Sequence, residues 1–587
     1  MTLVQPSPDM QIFIRKELNE DVDTREDLLE AMKEWLAKQP HLPDKWDESR
    51  IMTFLRGCNF SLERCKQKLD LYFTMRTAAP EFFSNRNIKN PELQEIIKKA
   101  NCPPLPGLTK DGRRVVVIRG LDKNDTSLVL QDGMKVVLMI GDVRLAAEEV
   151  GVAGDPNYKE VLRLSLLFYE AQRSGRLPVD NRIAWRGDSA LEDRGLNGED
   201  LTGGYYDAGD FVKFSFPMAF TTTLLAWGVL DYENAYKSAD QYHHAIIALK
   251  WATDYFLKCH VSPYELYGQV GDFSIDHKFW GRPEELNMTR PAYKIDTKHP
   301  GADLAGEVSA ALSSTALVFK NIQKDYYSLA IRHAQELYAF AVNYPGFYHE
   351  AIPGAKAFYQ STGFGDELTW AAIWLYKATL DQKYLQDAEL FYKNFKLKGR
   401  PNEFHHTNKV AGIQVLLAEL TGKSEYVRAV EAFCNYSIYQ QKRTPKGLVY
   451  IDKAGTLSHA ANIVFLCLQA VDMNISSSSY IHFAREQMSY ILTTTGRSFV
   501  VGYGENYPKK PHHSASSCPD KPNPCGWESY KSKDPNPKIL YGALVSGPDQ
   551  NDHYEDVREE FLYNEVTLDY NAGFQSAAAG LLQYENK

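Results

Sequence analysis

The sequence predicts an all-α chain: an (α/α)6 toroid of twelve helices, preceded by a small, mostly helical N-terminal module. Three observations carry this expectation. From residue 157 on, apolar residues recur at helical spacing almost throughout, and no comparable series of strands competes. Many of these segments are rich in small residues on one face, as in LAGEVSAALSSTALVF and FQSAAAGLLQY, which close helix–helix packing requires. Long loops rich in Gly, Pro and Tyr, at 176–215, 260–302 and 496–556, separate some of the helices. Loops of that length in a compact domain usually carry function, and a plain helical superhelix does not explain them.

With 587 residues the chain exceeds one ordinary domain. Residues 24–38 (TREDLLEAMKEWLAK) predict a helix with Thr24 as its N-cap. Residues 47–57 and 61–76 continue as amphipathic helices, whose charge runs read as solvated faces. After a Pro-rich link at 102–107, GRRVVVIRG at 112–120 reads as a strand, and 131–150 as another helix. Beyond residue 157 the periodicity predicts helices near 158–174, 216–236, 241–259, 303–322, 326–343, 365–380, 382–395, 408–421, 424–439, 457–473, 478–495 and 568–585. They pair as consecutive hairpins, six in all, with the long loops building a groove at one end.

The formal charge of −9 argues against a nucleic-acid partner, which calls for a basic face. Aromatic residues reach 12%, a content that suits stacking on the CH-rich faces of sugars, although most of the tyrosines simply bridge core and water. Eight cysteines are too few for a disulfide scaffold. Cys518 and Cys525 flank a Pro-rich turn and are close enough in sequence to pair, while Cys434 and Cys467 lie in apolar helical runs and read as buried thiols. No uncharged apolar run suggests a membrane span, and the N-terminal segment lacks the apolar stretch of a signal peptide.

The residues that carry chemistry are carboxylates. In DAGD, Asp207 and Asp210 share a Gly-containing turn just before a long apolar helix, and a tight turn lets both side chains point the same way. Surface turns are also rich in Asp and Gly, but GGYY before and FVKFSFPMAF after supply an aromatic surround. Glu565 directly precedes the final helix, where an acid can also complement the helix dipole, as can the nearby Asp569 and Asn571. Cleaving an acetal requires a proton for the leaving oxygen and an activated water, supplied in inverting enzymes by two carboxyl groups about 6.5–9.5 Å apart. Asp207, Asp210 and Glu565 can form such a set. The paired histidines at 405–406 and 512–513 lack the spacing and thiol partners of a zinc site. GDELTW places Asp366 and Glu367 side by side, which suits either a hard cation or the start of a helix.

Residues 157–587 resemble the animal-type endoglucanases of glycoside hydrolase family 9, such as those of termites. The stretches that carry the resemblance include LLFYEAQRSGRLP, WRGDSAL, LTGGYYDAGD, FPMAFTTTLLAWG, WGRPEE, RPAYKIDTKHPGADLAGE, GDELTWAAIWLYKAT, GRSFVVGYG and NEVTLDYNAGFQSA. The resemblance implies an endo-acting β-1,4-glucanase that inverts configuration. It makes Asp210 the general base, Asp207 the residue that orients the water and Glu565 the general acid, with Asp556 also at an active-site motif position. It places His512, His277, Trp280, Tyr570 and Tyr206 on the substrate. It implies structural calcium at Asp366 and Glu367 with oxygens of Thr362 and Gly363, and no cofactor for the chemistry. The expected partner is a β-1,4-glucan, with a monomer as the expected state. The family acts outside cells or in a gut lumen, whereas the N-terminus as written would keep the chain inside.

Several positions depart from the family pattern. Ser514, Ala454, Ser458, His406, Thr407 and Phe211 stand where Arg, Trp, Arg, Trp, Asp and His are usual, and Ser215 and Ser546 replace glycines. A damaged groove with intact acid–base groups is therefore expected, and a carbohydrate-binding protein without turnover is the alternative. Residues 10–150 resemble the start of a CRAL-TRIO lipid-transfer protein, with a helical segment over 1–100 and the opening of a lipid-binding domain over 101–156. The remaining elements of such a domain are missing, so lipid binding is the least expected activity.

Overall fold

The computed structural model describes residues 24–42, 48–79, 100–101, 104–108, 114–116, 119–120, 156–475 and 477–585. The chain divides into two compact units, Met1–Asp155 and Pro156–Lys587.

In the first unit, helices α1 (Arg25–Leu36), α2 (Glu48–Gly57) and α3 (Leu62–Ala78) enclose a small core of Met32, Leu36, Ile51, Leu55 and Leu69. Thr24 precedes α1 but makes no side-chain cap, because its backbone is already helical. The stretch expected as one strand at 112–120 forms two short ones. β1 (Ala100–Asn101) pairs with β4 (Arg119–Gly120), and β2 (Pro104–Leu108) pairs with β3 (Arg114–Val116), both antiparallel. The helix expected at 131–150 lies outside the described residues.

The second unit is the (α/α)6 toroid. Its inner ring is α5 (Ser215–Asp231), α7 (Ala302–Phe319), α9 (Gly365–Thr379), α11 (Val410–Thr421), α13 (Thr456–Asp472) and α15 (Leu568–Glu585), each packing on the next and α15 closing on α5. These helices are apolar or small-residued all round, as a helix surrounded by protein must be. The outer helices are α4 (Tyr158–Ala171), α6 (Tyr242–Cys259), α8 (Lys324–Asn343), α10 (Gln382–Asn394), α12 (Ser424–Tyr439) and α14 (Ser477–Ser489). They carry a stripe instead: α10 buries only Tyr384, Ala388 and Tyr392, spaced by one helical turn. Five pairs are sequential hairpins, but the sixth joins the two ends of the unit, α4 packing on α15. Ser165 of α4 donates to Gln575 of α15 at 2.8 Å, and Tyr169 donates to the Leu568 carbonyl at 2.9 Å.

Small residues set the closeness of the inner ring. A Cβ on Gly573 would fall 1.9 Å from Asn462 Oδ1 on α13, so only glycine permits that approach.

One element carries no signal in the sequence pattern, a small antiparallel sheet of three strands from the 260–302 loop and one from 213–214. Its central strand β7 (Glu265–Val270) pairs with β8 (Ala292–Ile295) along one edge and with β6 (His260–Ser262) and β5 (Lys213–Phe214) along the other. The sheet ties the residues after DAGD to the segment that carries His277. Cys518 and Cys525 are disulfide-bonded, while Cys434 and Cys467 are buried free thiols facing each other at 2.9 Å.

Candidate active site

The loops at one end of the ring enclose a cleft of about 720 Å³. Four backbone hydrogen bonds help assemble it. The Asp207 carbonyl accepts from Leu568 N at 3.0 Å, which fixes the DAGD turn against the start of α15. Gly209 meets the 511–514 segment so closely that a Cβ would fall 2.1 Å from the His512 carbonyl, and Ser514 N donates to the Gly209 carbonyl at 2.8 Å. His512 N donates to the Asn564 carbonyl and Ser546 N to the Glu565 carbonyl, at 2.9 and 2.8 Å, which pins the acid's backbone on both sides. Residues from the beginning and the end of the unit thus face one space.

Asp207, Asp210, Glu565, His277, Trp280, His512 and Tyr570 all line the cleft. Asp210 Oδ2 accepts from His277 Nε2 at 2.8 Å. That hydrogen bond raises the His277 imidazole above its ordinary value, against the opposing effect of burial. Asp207 is buried, its Oδ2 accepts from the Tyr359 hydroxyl, and its Oδ1 has no hydrogen-bond partner among the described residues. Burial pushes its carboxyl well above the usual range; the Tyr359 hydrogen bond opposes this, and the carboxylates of Asp569, Asp210 and Glu565 add to it. Glu565 presents part of its surface to the cleft, yet its carboxyl is pushed up to about 8, first by burial and then by Asp210. An acid held protonated faces a carboxylate bonded to an imidazole, which is the division of labour that acetal hydrolysis needs.

The walls are aromatic. Trp280 donates through Nε1 to Ser517 Oγ at 2.8 Å, and its ring meets Tyr530 and His512 at 4.8 and 5.3 Å. Trp527, Phe358 and Phe561 stand exposed at the rim. His512 Nδ1 donates to the Arg558 carbonyl at 2.7 Å, which leaves Nε2 as an acceptor.

Two expected site residues lie elsewhere. Asp556 is not in the cleft: its two oxygens accept from the amides of Lys510 and Lys509 at 2.9 and 2.8 Å, so it shapes the approach to His512. Tyr206 is buried behind the DAGD turn, donating to Ser189 Oγ at 2.9 Å and packed on Phe211. Conversely, Asp276 and Tyr359 belong to the cleft without any sequence signal. Asp276 Oδ2 accepts from Phe211 N at 3.3 Å, and its carboxyl is pushed up to about 7 by burial and by Asp210. Asp272 places it by capping the short helix Phe273–Asp276 through Ser274 N at 2.9 Å.

The histidines at 405 and 406, which lack a zinc-site spacing in the sequence and of which His406 departs from the family pattern, also line the cleft, as does Asp569. Asp569 Oδ2 lies 3.1 Å from His406 Nδ1 and 3.4 Å from His405 Nε2. Burial lowers both imidazoles, His405 to about 4. Burial alone would raise Asp569, but its hydrogen bonds to the two rings hold it below the ordinary carboxylate range. The direction common to all three is an ionised carboxylate between neutral rings.

The departures are accommodated. Ser514 Oγ both accepts from Gly281 N and donates to the Gly281 carbonyl, each at 2.8 Å, joining the 511–514 segment to the Trp280 loop. Ser546 Oγ accepts from Gly455 N at 2.8 Å, and Ser215 Oγ donates to the Tyr267 carbonyl at 3.4 Å. Ser514→Ala leaves two buried backbone groups unpaired and is expected to cost about 1–3 kcal/mol. Urea unfolding, with the midpoint falling at unchanged slope, measures it; an unmoved midpoint would mean that Ser514 does not join the loops.

Asp366 and Glu367 open α9, where Glu367 Oε1 accepts from the Lys409 ammonium at 2.6 Å and Asp366 Oδ2 accepts from Lys409 N at 2.9 Å. Lys409 also reaches Glu307 at 2.9 Å. Glu367 Oε2 is buried without a partner and Asp366 Oδ1 faces Gly363, so acceptor capacity for a hard cation remains.

A profile for a Pinta-like, UBA domain matches residues 21–93. The resemblance of the N-terminal segment to CRAL-TRIO proteins is not supported, and this match stands in its place. Endoglucanase 15 of Arabidopsis thaliana is 44% identical over 451 residues, spanning 70% of this chain and 91% of that protein. The endoglucanase structure from the termite Nasutitermes takasagoensis superposes with a TM-score of 0.73 at 55% identity, covering 73% of this chain and 99% of that one. The cellulase Cel9M of C. cellulolyticum, solved in complex with cellobiose, gives a TM-score of 0.69 at 36% identity, covering 74% of this chain and all of that one (100%). The profile of glycosyl hydrolase family 9 runs over residues 158–578, which takes in both aspartates of the DAGD turn, Glu565 and the helical ring up to the middle of α15, and the chain belongs to that family.

Proposed function

We propose that the chain is an endo-1,4-β-glucanase that cleaves internal bonds of cellulose-like chains with inversion. The observation that carries this is the convergence of Asp207, Asp210 and Glu565 on one aromatic-walled cleft, with Glu565 held protonated up to about pH 8. A cleft with exposed aromatic rings at its rim suits a chain that enters along its length, and the relatives named above are endoglucanases and a cellulase solved with cellobiose.

The chemistry follows from the positions. A water between Asp210 and Asp207 gives its proton to Asp210 as its oxygen bonds to the anomeric carbon. Glu565 delivers its proton to the leaving glycosidic oxygen as that bond breaks. His277, bonded to Asp210 Oδ2, fixes the base's orientation, and Tyr359 does the same for Asp207. Products from a β-linked chain then appear as the α-anomer. Proton NMR of the first products from cellopentaose tests this, and a β-anomer would overturn the inverting assignment.

Turnover below the family norm is part of the reading. Ser514, Ser458 and Ala454 cannot supply the planar donor forks or the stacking ring usual at their positions, and Ser514 is spent on Gly281. A reducing-sugar assay on carboxymethylcellulose decides: ordinary turnover would remove the weakened groove, and binding without cleavage, unchanged in Glu565→Gln, would make the chain a carbohydrate-binding protein.

Calcium at Asp366 and Glu367, with oxygens of Thr362 and Gly363, is a structural proposal separate from the chemistry. The unpartnered Glu367 Oε2 supports it, although Lys409 already supplies one positive charge there. A ligand at a hundredfold its dissociation constant adds about 2.7 kcal/mol of stability. Chelation by EGTA is expected to lower the melting temperature of the wild type and not that of Asp366→Ala; equal curves with and without chelator would discard the site.

A further inference from the structure

We infer that His405, His406 and Asp569 form a binding site for a divalent transition-metal ion of the zinc class in the wall of the substrate cleft. The inference stands on the geometry of these residues and does not rest on the glucanase reading.

Three potential ligand atoms converge: His405 Nε2, His406 Nδ1 and Asp569 Oδ2 all lie within 4.8 Å of one another. The carboxylate oxygen is 3.4 and 3.1 Å from the two ring nitrogens. For ligands about 2.0–2.1 Å from a tetrahedral ion, neighbouring donor atoms stand about 3.3 Å apart. The two carboxylate–imidazole separations thus match edges of such a tetrahedron, and the two imidazole nitrogens lie within 4.8 Å of each other. Two imidazoles and one carboxylate favour zinc, cobalt, nickel or copper over calcium or magnesium, which select all-oxygen cages.

Local structure holds each ligand in place. A tight turn, with reciprocal hydrogen bonds between His405 and Asn408 of 3.1 and 2.9 Å, brings two consecutive histidines to the same side. Asp569 sits in the first turn of α15, and the Thr567 hydroxyl donates to its Oδ1, which leaves Oδ2 to the histidines. Such an outer hydrogen bond is what orients a ligating carboxylate. A third imidazole adjoins: the His459 ring lies 4.7 Å from His405, buried, with Nδ1 lacking any hydrogen-bond partner.

Three protein ligands leave a fourth position, and the cluster opens on the cleft beside Thr407. A water or sugar hydroxyl on the ion would occupy it. The Tyr359 ring lies 5.0 Å from His406 and its hydroxyl holds Asp207, so the ion would sit one side chain away from the acid–base set.

Two other groups must be told apart from this one. Among the described residues, Asp210, Asp276 and His277 form a cluster in the same cleft, and His260 of β6 with His333 and Glu336 of α8 form one away from it. The experiment is titration of the full chain with Co2+, followed by visible absorption, with Zn2+ displacement as the second step. One equivalent of Co2+ with the intense visible bands of tetrahedral coordination is expected, displaced by one equivalent of Zn2+. His405→Gln, His406→Gln and Asp569→Asn are each expected to lose at least tenfold in affinity, while His277→Gln and His333→Gln retain it. Circular dichroism checks folding, and three ligand variants keep the test decisive if one of them fails to fold. Absence of the tetrahedral bands, unchanged affinity in the folded ligand variants, or loss in either control would overturn the site.

Discussion

Glu565→Gln is expected to lower kcat on carboxymethylcellulose by about 10²–10⁴-fold while leaving the fold and substrate binding intact. Glutamine keeps the size of the side chain and removes the proton that the glycosidic oxygen needs. An aryl cellobioside with a good leaving group needs less of that proton, so the loss on it is expected to be far smaller. The pH profile gives an independent reading. In the wild type, kcat/KM falls as pH rises through about 8, where the carboxyl raised by burial and Asp210 ionises and can no longer donate. In Glu565→Gln that alkaline limb disappears. A variant that keeps the limb, or that loses equally on both substrates, would assign the acid to another residue.

Asp210→Asn is the second large effect. An amide cannot accept the water's proton, so kcat is expected to fall by about 10²–10⁴-fold on both substrates, because activating the water is needed whatever leaves. The contrast between the two variants separates base from acid without reference to any relative. His277→Gln is expected to fall less, since it removes the hydrogen bond to Asp210 Oδ2 and leaves the carboxylate in place. Measuring kcat for all three on the aryl substrate checks this. An Asp210→Asn variant that turns over an aryl cellobioside normally would dismiss it as the base.

The ring was legible because its helices obey a simple rule: inner helices are apolar all round and outer ones carry a stripe, so each segment announces its period. The acid–base residues were legible because short stretches around Asp207, Asp210 and Glu565 keep chemistry and turn residues together. What escaped depends on contacts between distant positions. Tyr359 reaches Asp207 across 152 residues, and Asp569 reaches His406 across 163. No local pattern marks such pairs. Asp556 and Tyr206 were assigned to the site by their place in a motif, but neighbours along an extended stretch point to different sides, and both turn away from the cleft. The β5–β8 sheet escaped because its strands are short and lie in a stretch rich in turns. Thr24 has a capping residue's chemistry without its backbone, which is already helical.

The pairing of α4 with α15, the first and last helices of the toroid, makes completion of the ring depend on the C-terminal helix. During vectorial synthesis the nucleophile-activating turn emerges hundreds of residues before its proton donor, and the Leu568 amide that fixes it arrives only with the final helix. A chain without the final helix therefore lacks one member of the inner ring. Docking of that last segment buries surface against both neighbours at once, so one of the most non-local contacts of the fold is also the one that completes the cleft.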